Sequence, residues 1–412
     1  MSRRLLFLAH RIPYPPNKGE KIRAWHMLDH LARDWTVDLG CLVDDPADLD
    51  YLPVLRERCA TVEHGMIAQG NRLLAALRAF RPGQPISLGW FRDARLAGWV
   101  KQGLAEGRWD AVLAYSSAMA PYVMGQAARG ARRVLDMVDV DSEKWRAYAA
   151  DARPPLRQVW AREARTLLAF ERRAARAFDS TLLVSREEAA RFAQIAPECA
   201  MGLDWVANGV DLDRFHPREA GASPYSGTAP AIVFTGTMDY RPNVEAVTWF
   251  VEQVLPTLRM RAATPPEFHI VGARPSDAVR ALATRPGVHV SGAVADTRPY
   301  IAHAAVAVAP LRIARGIQNK VLEAMAMARP VVASPEAFEG IVARAGRDLL
   351  VADGAERTVA AIEAVLAGRH ERLGLAARRA VTEGHDWSAT LRRLDAVLGH
   401  VPARPRAMEA VP

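Results

Sequence analysis

Lys320 and Glu323 lie in the sequence GIQNKVLEAMA, which begins at Gly316. Apolar residues recur at helical spacing along this stretch, which predicts a helix that starts at the glycine. The apolar run before it, closed by Pro310, predicts a buried strand. A glycine loop that leads from a parallel strand into a helix presents free backbone N–H groups and the positive end of the helix dipole. We therefore predict a diphosphate site here, with the compact Lys320 ammonium beside it.

Polar residues also follow two predicted strands of the N-terminal half. A Pro-rich loop containing Lys18 and Gly19 comes after the first strand, and a stiff loop of this kind presents N–H groups to an anion. An ordinary turn glycine is the alternative. Asp139 follows the predicted strand 132–138, at the edge where ligands bind in open α/β sheets, and could orient or deprotonate a substrate hydroxyl. We expect Asp141 to cap the following helix.

Metal-ligating residue types show no spacing typical of a metal site. His10, His269, His289 and His303 are scattered, and the three cysteines form no CxxC pair. This pattern argues against a structural zinc site and against a disulfide framework. We interpret these histidines as structural and predict no metal ligands, and the unpaired cysteines indicate a reducing compartment.

The composition is that of a soluble globular protein. The 412 residues carry a net charge of +8, and 50% of them are apolar. The apolar run near the N-terminus is too short for a signal peptide, and no stretch approaches the roughly 18 apolar residues of a membrane span. We predict a cytoplasmic protein that does not bind nucleic acid, with a mildly basic surface that suits phosphates or an anionic membrane.

Strands alternate with helices along the whole chain, which predicts α/β domains with parallel, doubly wound sheets. We expect an N-terminal domain over 1–217 and a Gly-, Ser- and Pro-rich linker at 218–230. A second alternation covers 231–385. A last helix at 386–400 is expected to cross back to the first domain, and 401–412 to be frayed. The sequence therefore predicts two Rossmann-like domains.

One long segment, 154–178, predicts a basic amphipathic helix. Such a helix can lie on an anionic membrane. The commoner explanation is a domain helix whose apolar face is in the core, and we favour it. The apolar face contains Leu156, Val159, Trp160, Leu167, Phe170 and Phe178.

Residues 310–334 resemble the donor-nucleotide loop of the retaining glycosyltransferases of family 4, which have the GT-B fold. In that family one glutamate stands in the loop, and a second, after seven intervening residues, stands in an EAMA-type helix. A PVV strand follows this helix. Glu323 matches the second glutamate, and the helix and strand sequences match as well. The first glutamate is replaced by Arg315, which carries charge suited to phosphate or to an acidic sugar.

Three further segments resemble the same family in the expected order. The sequence NGVD at 208–211 resembles its domain junction, and FTGTM at 234–238 with Arg241 resembles the first strand and loop of its donor domain. The loop at Gly19 resembles its N-terminal glycine loop. Taken together, PYPPNKGEKIRAW, LDMVDVDSEKW, FTGTMDYRPNVEAV and GIQNKVLEAMA resemble a narrower group, the sugar transferases associated with exosortase and exopolysaccharide loci.

The resemblance implies roles for the predicted donor site. Glu323 would bind the ribose hydroxyls of the donor, and Lys320 and Arg241 would bind the diphosphate, where charge builds on the leaving nucleotide. Gly236 and Thr237 would line the same site. Backbone amides of Gly316, Ile317 and Gln318 would take over the sugar contact that Arg315 cannot make. Asn319 is also expected in the donor site.

A simpler interpretation exists for each of these residues. Glu323 could be a solvated helix carboxylate paired with Lys320, and Lys320 and Arg241 could form ordinary pairs on helix surfaces. Gly316 could be a helix cap without a ligand. On residue type alone these alternatives remain open.

The resemblance implies a GT-B protein whose two domains face a cleft. The expected reaction is transfer of a sugar from a nucleotide-diphosphate donor to a hydroxyl of a glycan or lipid-linked acceptor, in exopolysaccharide or other surface-glycan synthesis. Asp139, Lys320 and Glu323 are the expected catalytic residues, with retention of configuration and without cofactor or metal. A nucleotide-sugar epimerase of the same fold and a non-catalytic nucleotide-sugar binder are the two alternatives.

Overall fold

The computed structural model of the chain describes residues 3–67, 83–126, 130–314 and 316–399. The sequence pattern also predicts a helix near 71–80. This segment, Arg315 and the predicted tail at 401–412 lie outside the described residues. The chain divides into two compact units. Unit 1 contains the chain up to Leu183, Ala189–Val206 and the segment from Leu391 onward, and unit 2 contains Val184–Glu188 and Ala207–Thr390.

Unit 1 is built on a seven-stranded sheet in the order β3-β2-β1-β4-β5-β6-β7, and every neighbouring pair is parallel. The strands are β1 (Arg4–Ala9), β2 (Thr36–Val43), β3 (Thr61–Met66), β4 (Ala111–Tyr115), β5 (Arg132–Val138), β6 (Ser180–Leu183) and β7 (Leu203–Trp205). The helices along this part of the chain are α1 (Gly19–Leu31), α2 (Leu52–Arg56), α3 (Ala94–Glu106), α4 (Asp141–Asp151), α5 (Leu156–Ala177) and α6 (Arg186–Ile195).

Unit 2 is built on a six-stranded parallel sheet in the order β10-β9-β8-β11-β12-β13. The strands are β8 (Ala231–Thr235), β9 (Glu267–Val271), β10 (Val288–Gly292), β11 (Val306–Ala309), β12 (Val331–Ala333) and β13 (Leu350–Val351). The helices are α7 (Arg241–Trp249), α8 (Leu255–Arg261), α9 (Asp277–Leu282), α10 (Arg298–His303), α11 (Asn319–Ala326), α12 (Pro335–Phe338), α13 (Gly354–Leu366), α14 (Leu373–Gly384) and α15 (Trp387–Val397). From Leu391 onward α15 belongs to unit 1, where Asp395 Oδ1 lies 2.9 Å from His30 Nε2.

The central strands are continuous apolar runs because helices cover both faces of a parallel sheet. All residues of β8 and nearly all of β1 are buried. The predicted alternation of parallel strands and helices is therefore confirmed, with most ends shifted by a residue or two. Two helices differ from the prediction. The helix predicted from Gly316 begins at Asn319, since Gly316 has a φ of 63° and forms a left-handed turn. The sequence also predicts a helix at about 242–255, and the structure continues it to Arg261 through a π-helical turn at Phe250–Val254.

Both sheets have a topological switch point, where the strand order reverses its direction of growth. In unit 1 it lies between β1 and β4, and in unit 2 between β8 and β11. Open α/β sheets bind ligands outside the carboxyl ends of the strands at such a point. The segments that begin at His10 and Gly236 follow β1 and β8, so the topology places both at switch points.

The segment after β7 is anchored to the end of unit 2. His385 Nδ1 donates to the carbonyl of Asn208 (2.8 Å), its Nε2 accepts from the N–H of Val342 (2.9 Å), and its own carbonyl accepts from the N–H of Val210 (2.8 Å). These contacts explain why the division by contacts falls at Ala207 and not at the predicted residue 217.

The arginine-rich helix α5 has a buried apolar face over most of its length. Leu167 and Phe170 belong to the core of unit 1, as the core interpretation predicts. Leu156 and Val159, in its first turn, are 52% and 45% exposed. Among the residues that the structure describes, no helix is both long and apolar enough to cross a membrane.

Gly272 provides a test of how tightly the strand ends of unit 2 are packed. It follows β9 with a φ of 152°, and a Cβ placed on it would lie 1.7 Å from the backbone oxygen of Gly236. We predict that Gly272→Ala lowers the free energy of unfolding by roughly 2–4 kcal/mol, because backbone must move. Gly98→Ala is the control, since this exposed helical glycine has no atom within 4 Å of its Cβ position and should gain about 0.5–1 kcal/mol. Equal urea midpoints for the two variants would contradict this packing.

Candidate functional site

Three residues from separate parts of unit 2 meet where β8 ends. Lys320 Nζ, in the first turn of α11, donates to Asn243 Oδ1 (2.5 Å) on α7. Asn243 Nδ2 in turn donates to the carbonyl of Thr237 (2.9 Å). A Cβ on Gly236 would lie 2.8 Å from Asn243 Nδ2 and 3.4 Å from Lys320 Nζ. The absence of a side chain at Gly236 therefore leaves room for the amide and the ammonium beside the strand end.

Lys320 is held in a poorly solvated position. Its Nζ lies 4.3 Å from the centre of the Phe234 ring, and the aliphatic residues Val233, Val321 and Ala324 line a small cavity together with Lys320. Burial lowers the pKa of Lys320 to about 7, although the Glu323 carboxylate acts in the opposite direction. At neutral pH the side chain is thus poised between its charged and neutral forms.

Glu323 is a partly buried carboxylate with no hydrogen bond or ion pair to any described residue. Burial raises its pKa to about 7, opposed by the charges of Lys320 and Arg214. The Lys320 ammonium donates to Asn243 and acts on Glu323 only through its charge. An acidic group with a raised pKa and unused acceptor oxygens is typical of a ligand site.

The loop before α11 is turned by Gly316 and ends in two amide side chains. Gln318 occupies the N-cap position, and its Nε2 donates to the carbonyl of Gly316 (3.1 Å). The interpretation of Gly316 itself as the helix cap is therefore wrong. Asn319 Oδ1 accepts from Asn208 Nδ2 (3.2 Å), and Ile317 is buried. The loop is fixed at both ends, while the first turn of α11 presents N–H groups in the way that favours anions.

Arg241 is the first residue of α7, on the same helix as Asn243. Its Nε donates to Glu245 Oε1 (2.5 Å), and both side chains are 36% exposed. The predicted role of this arginine at a diphosphate therefore requires the guanidinium to share its donors with Glu245. Arg315, the other predicted cation of the loop, lies outside the described residues.

A second group of polar residues lies at the switch point of unit 1. The N–H of His10 donates to the carbonyl of Tyr115 (2.9 Å), and the two rings are 5.4 Å apart. His10 Nδ1 is buried without a hydrogen-bond partner among the described residues, and burial is the main cause that lowers the His10 pKa. Asp139 follows Val138, whose φ of 67° is strained for a β-branched residue. The prediction treated His10 as structural, but its unpaired nitrogen makes it a candidate acid–base group.

Lys18 and Gly19 begin the helix that follows β1. Lys18 is the N-cap residue of α1 without a side-chain cap, and Gly19 is the first helical residue. Tyr115 donates its hydroxyl to the carbonyl of Glu20 (2.7 Å). This bond fixes the N-terminus of α1 near the end of β4, and Gly19, the last part of the predicted loop, is already the first residue of that helix.

Asp141 does not cap α4 as predicted. The N-cap position is Val140, and Asp141 is the first helical residue. The cap is supplied by Glu171 of α5, whose Oε1 accepts from the N–H of Ser142 (3.1 Å) and whose Oε2 lies 2.5 Å from Ser142 Oγ. Burial raises the pKa of Glu171 to about 8. A carboxyl group from a distant helix therefore holds the turn that carries Asp139.

One group of metal-ligating side chains lies on β9 and β10. Glu267, His269 and His289 place one ligand atom each within 4.8 Å of one another. Spacing in the sequence did not indicate this group, because the parallel register of β9 and β10 pairs His289 with His269. Burial is the main cause that lowers the pKa of His269 to about 4.

The buried carboxyl group of Glu171 predicts a pH dependence of stability. Its folded pKa, about 8, lies above the ordinary value of 4.5, so the folded chain binds more protons and loses stability as pH rises from about 5 to 8. We predict that Glu171→Gln keeps both contacts to Ser142 and removes this loss, a difference on the order of 3 kcal/mol between pH 5 and 8. Glu187→Gln, at an exposed glutamate of α6, is the control in urea unfolding. Parallel pH profiles for wild type and Glu171→Gln would contradict the buried neutral carboxyl group.

Comparison with known proteins bears on both units. Residues 229–368, within unit 2, match the family model described as "Glycosyl transferases group 1". No curated protein matches the chain.

Solved structures resemble the whole chain at low sequence identity. Sucrose-phosphate synthase from Thermosynechococcus elongatus is 17% identical, with a TM-score of 0.72 over 96% of this chain and 98% of that one. Anabaena HepE, crystallised with UDP and glucose, is 15% identical, with a TM-score of 0.67 over 96% and 99%. WaaG, a glycosyltransferase involved in lipopolysaccharide biosynthesis, is 15% identical, with a TM-score of 0.62 over 96% and 100%. The chain therefore has the GT-B fold, and its second unit carries the match to group 1 glycosyl transferases.

Proposed function

We propose that this protein is a glycosyltransferase that moves a sugar from a nucleotide-diphosphate donor to an acceptor hydroxyl. The observation that carries the proposal is a pair of poorly solvated charged groups at the switch point of unit 2. The Lys320 ammonium makes one hydrogen bond, to Asn243, and the Glu323 carboxylate has a raised pKa. The match of residues 229–368 to group 1 glycosyl transferases supports it.

The donor site follows from the charges of these groups. An ammonium has three N–H donors, and one of those of Lys320 is used by Asn243. The remaining donors and the first turn of α11 suit the diphosphate, whose negative charge increases as the glycosidic bond breaks. Glu323 has free acceptor oxygens for two neighbouring hydroxyl groups, as on a ribose ring. HepE has been crystallised with UDP-glucose, which supports a nucleotide-sugar donor.

The stereochemistry of the reaction, the absence of a metal and the remaining donor-site residues are proposed from the family resemblance and from these charges. We propose a retaining reaction of the family 4 type, in which Lys320 and helix N–H groups supply the positive charge for the leaving nucleotide and no metal takes part in transfer. Gly236, Thr237 and Arg241 complete the donor site in this proposal, with the loop residues Gly316, Ile317, Gln318 and Asn319.

We further propose that the acceptor binds to unit 1, near Asp139 and His10. A carboxylate or neutral imidazole there could accept the proton of the attacking hydroxyl. The acceptor would be a glycan or a lipid-linked glycan of an exopolysaccharide or related surface polymer. The exposed Leu156 and Val159 beside the arginines of α5 would then allow peripheral contact with the inner face of the membrane.

The function is tested first by donor binding. Among a panel of nucleotide sugars, we expect one to raise the Tm of the protein, since a ligand that binds the folded state stabilises it.

We predict that Glu323→Ala lowers the affinity for the selected donor at least about tenfold, because hydrogen bonds to a charged acceptor are lost. Glu336→Ala, at an exposed glutamate on α12, should leave the affinity unchanged. Equal donor affinity in both variants would contradict the assigned site.

Product analysis then separates the three reactions. With donor and acceptor, a transferase forms a glycoside that retains the configuration of the donor sugar. Isomerisation of the donor alone would instead identify an epimerase. Selective binding without transfer to any acceptor of an oligosaccharide and lipid-linked panel would indicate a non-catalytic binder.

Donor binding should also be coupled to a proton. The Lys320 pKa is about 7 in the free protein, so at pH 8 most of the side chain is neutral, and an adjacent diphosphate favours its charged form. We predict net proton uptake when a nucleoside diphosphate binds at pH 8, and an affinity that falls as pH rises from 7 to 9. Calorimetry in buffers of different ionisation enthalpy measures this uptake. Lys320→Met should bind more weakly and lose the uptake, and an unchanged uptake in this variant would assign the proton to another group.

A further inference from the structure

We propose that Glu267, His269 and His289 form a binding site for a divalent transition metal, with Zn²⁺ the best match. His269 Nε2 lies 3.6 Å from Glu267 Oε2, and His289 Nε2 lies 3.3 Å from the same oxygen. Both imidazoles thus place one nitrogen near the same carboxylate oxygen. Imidazole and carboxylate together are a common ligand set for Zn²⁺ in proteins.

Sheet register brings the three residues together. Glu267 and His269 are two positions apart on β9, so their side chains leave the sheet on the same face. His289 is the partner of His269 on the neighbouring parallel strand β10. The two rings are stacked at 4.6 Å between centroids and 11° between planes. The arrangement is fixed by backbone pairing and needs no loop to rearrange.

The distances leave space for an ion between the ligand atoms. Zn²⁺ binds imidazole nitrogen and carboxylate oxygen at about 2.0–2.2 Å, so two tetrahedral ligand atoms are about 3.3 Å apart. The separations of 3.3 and 3.6 Å are close to this value. They are long for hydrogen bonds, and His269 Nε2 is buried with no hydrogen-bond partner among the described residues. A buried nitrogen of this kind costs free energy unless it meets a ligand.

Aromatic residues hold the cluster from one side. The Tyr225 ring packs 4.5 Å from the His269 ring, and the Tyr225 hydroxyl donates to the carbonyl of Tyr300 (2.5 Å). His269 is therefore fixed in orientation, while the side chain of His289 is 51% exposed. The exposed side gives a metal ion a route of entry and room for water as a fourth ligand.

The site is separate from the proposed donor site and has a structural role. β10 is the edge strand of the unit 2 sheet, whereas the donor loops follow β8 and β11. A metal ion there would join the edge strand to β9 and raise the stability of unit 2 by binding only the folded state. Its removal should lower the Tm without changing the affinity for the nucleotide donor.

The test uses the untagged full-length chain, stripped of metal by chelator and dialysed. We expect about one Zn²⁺ to bind per chain in a titration against a competing chromophoric chelator, with a rise in Tm. Co²⁺ should give visible absorption bands of a tetrahedral site. His289→Gln should weaken Zn²⁺ at least about tenfold and abolish both signals. Because His289 is half exposed, this variant keeps the fold, and a donor thermal shift equal to that of the wild type would show it.

His370→Gln, in the turn between α13 and α14, is the matched control and should bind Zn²⁺ like the wild type. Equal Zn²⁺ affinity in His289→Gln and wild type would overturn the proposal, as would failure of the wild type to bind Zn²⁺ or binding of several ions with no Tm rise. Loss of Zn²⁺ binding with intact donor binding supports the metal site alone. Absence of donor binding in a chain that binds Zn²⁺ would instead contradict the proposed transferase function.

Discussion

The free energy needed to hold the Lys320 ammonium in a poorly solvated position is the constraint on which the proposed donor site depends. The structure compensates for the lost hydration with one hydrogen bond from Nζ to Asn243 and with the face of the Phe234 ring. These contacts are incomplete, because burial still lowers the Lys320 pKa to about 7. A poorly solvated cation with donors left over in the free protein gains partners from an anionic ligand. Affinity for a phosphate group and the cost of folding therefore have the same origin.

The remaining features of unit 2 position this ammonium. The switch point between β8 and β11 sets α7 and α11 near the same strand ends, and parallel sheets collect helix N-termini at that edge. Gly236 and Gly272 allow two chain segments to approach so closely that a Cβ on Gly272 would overlap a backbone oxygen. Asn243 is fixed by the carbonyl of Thr237 and thereby fixes Lys320. The site is thus built from backbone proximity first and from side chains second.

Much of this was accessible from the sequence because parallel strands read as apolar runs and a phosphate-binding loop has a local pattern. The strands β8 and β9 could be predicted from the apolar runs alone. Lys320 and Glu323 were selected by the local pattern together with the family resemblance, and their roles at a donor remain predictions. The partner of Lys320 could not be predicted, since the contact with Asn243 depends on the phase of two distant helices. The prediction of the α4 cap failed for the same reason. Glu171 contacts Ser142 from another helix, and local capping rules do not describe a contact between two helices.

The same parallel pairing produces the two sites of opposite charge preference that we propose in unit 2. At the strand ends, the chain turns into helices and presents N–H donors and an ammonium group, which favour anions. In the middle of β9 and β10, backbone groups are used by the ladder and only side chains are free to bind. There the two-residue alternation and the in-register pairing bring carboxylate and imidazole lone pairs together, which favours a cation. Spacing in the sequence indicates the anion site at the strand ends. It does not indicate the cluster on β9 and β10, because strand register is a property of the folded sheet.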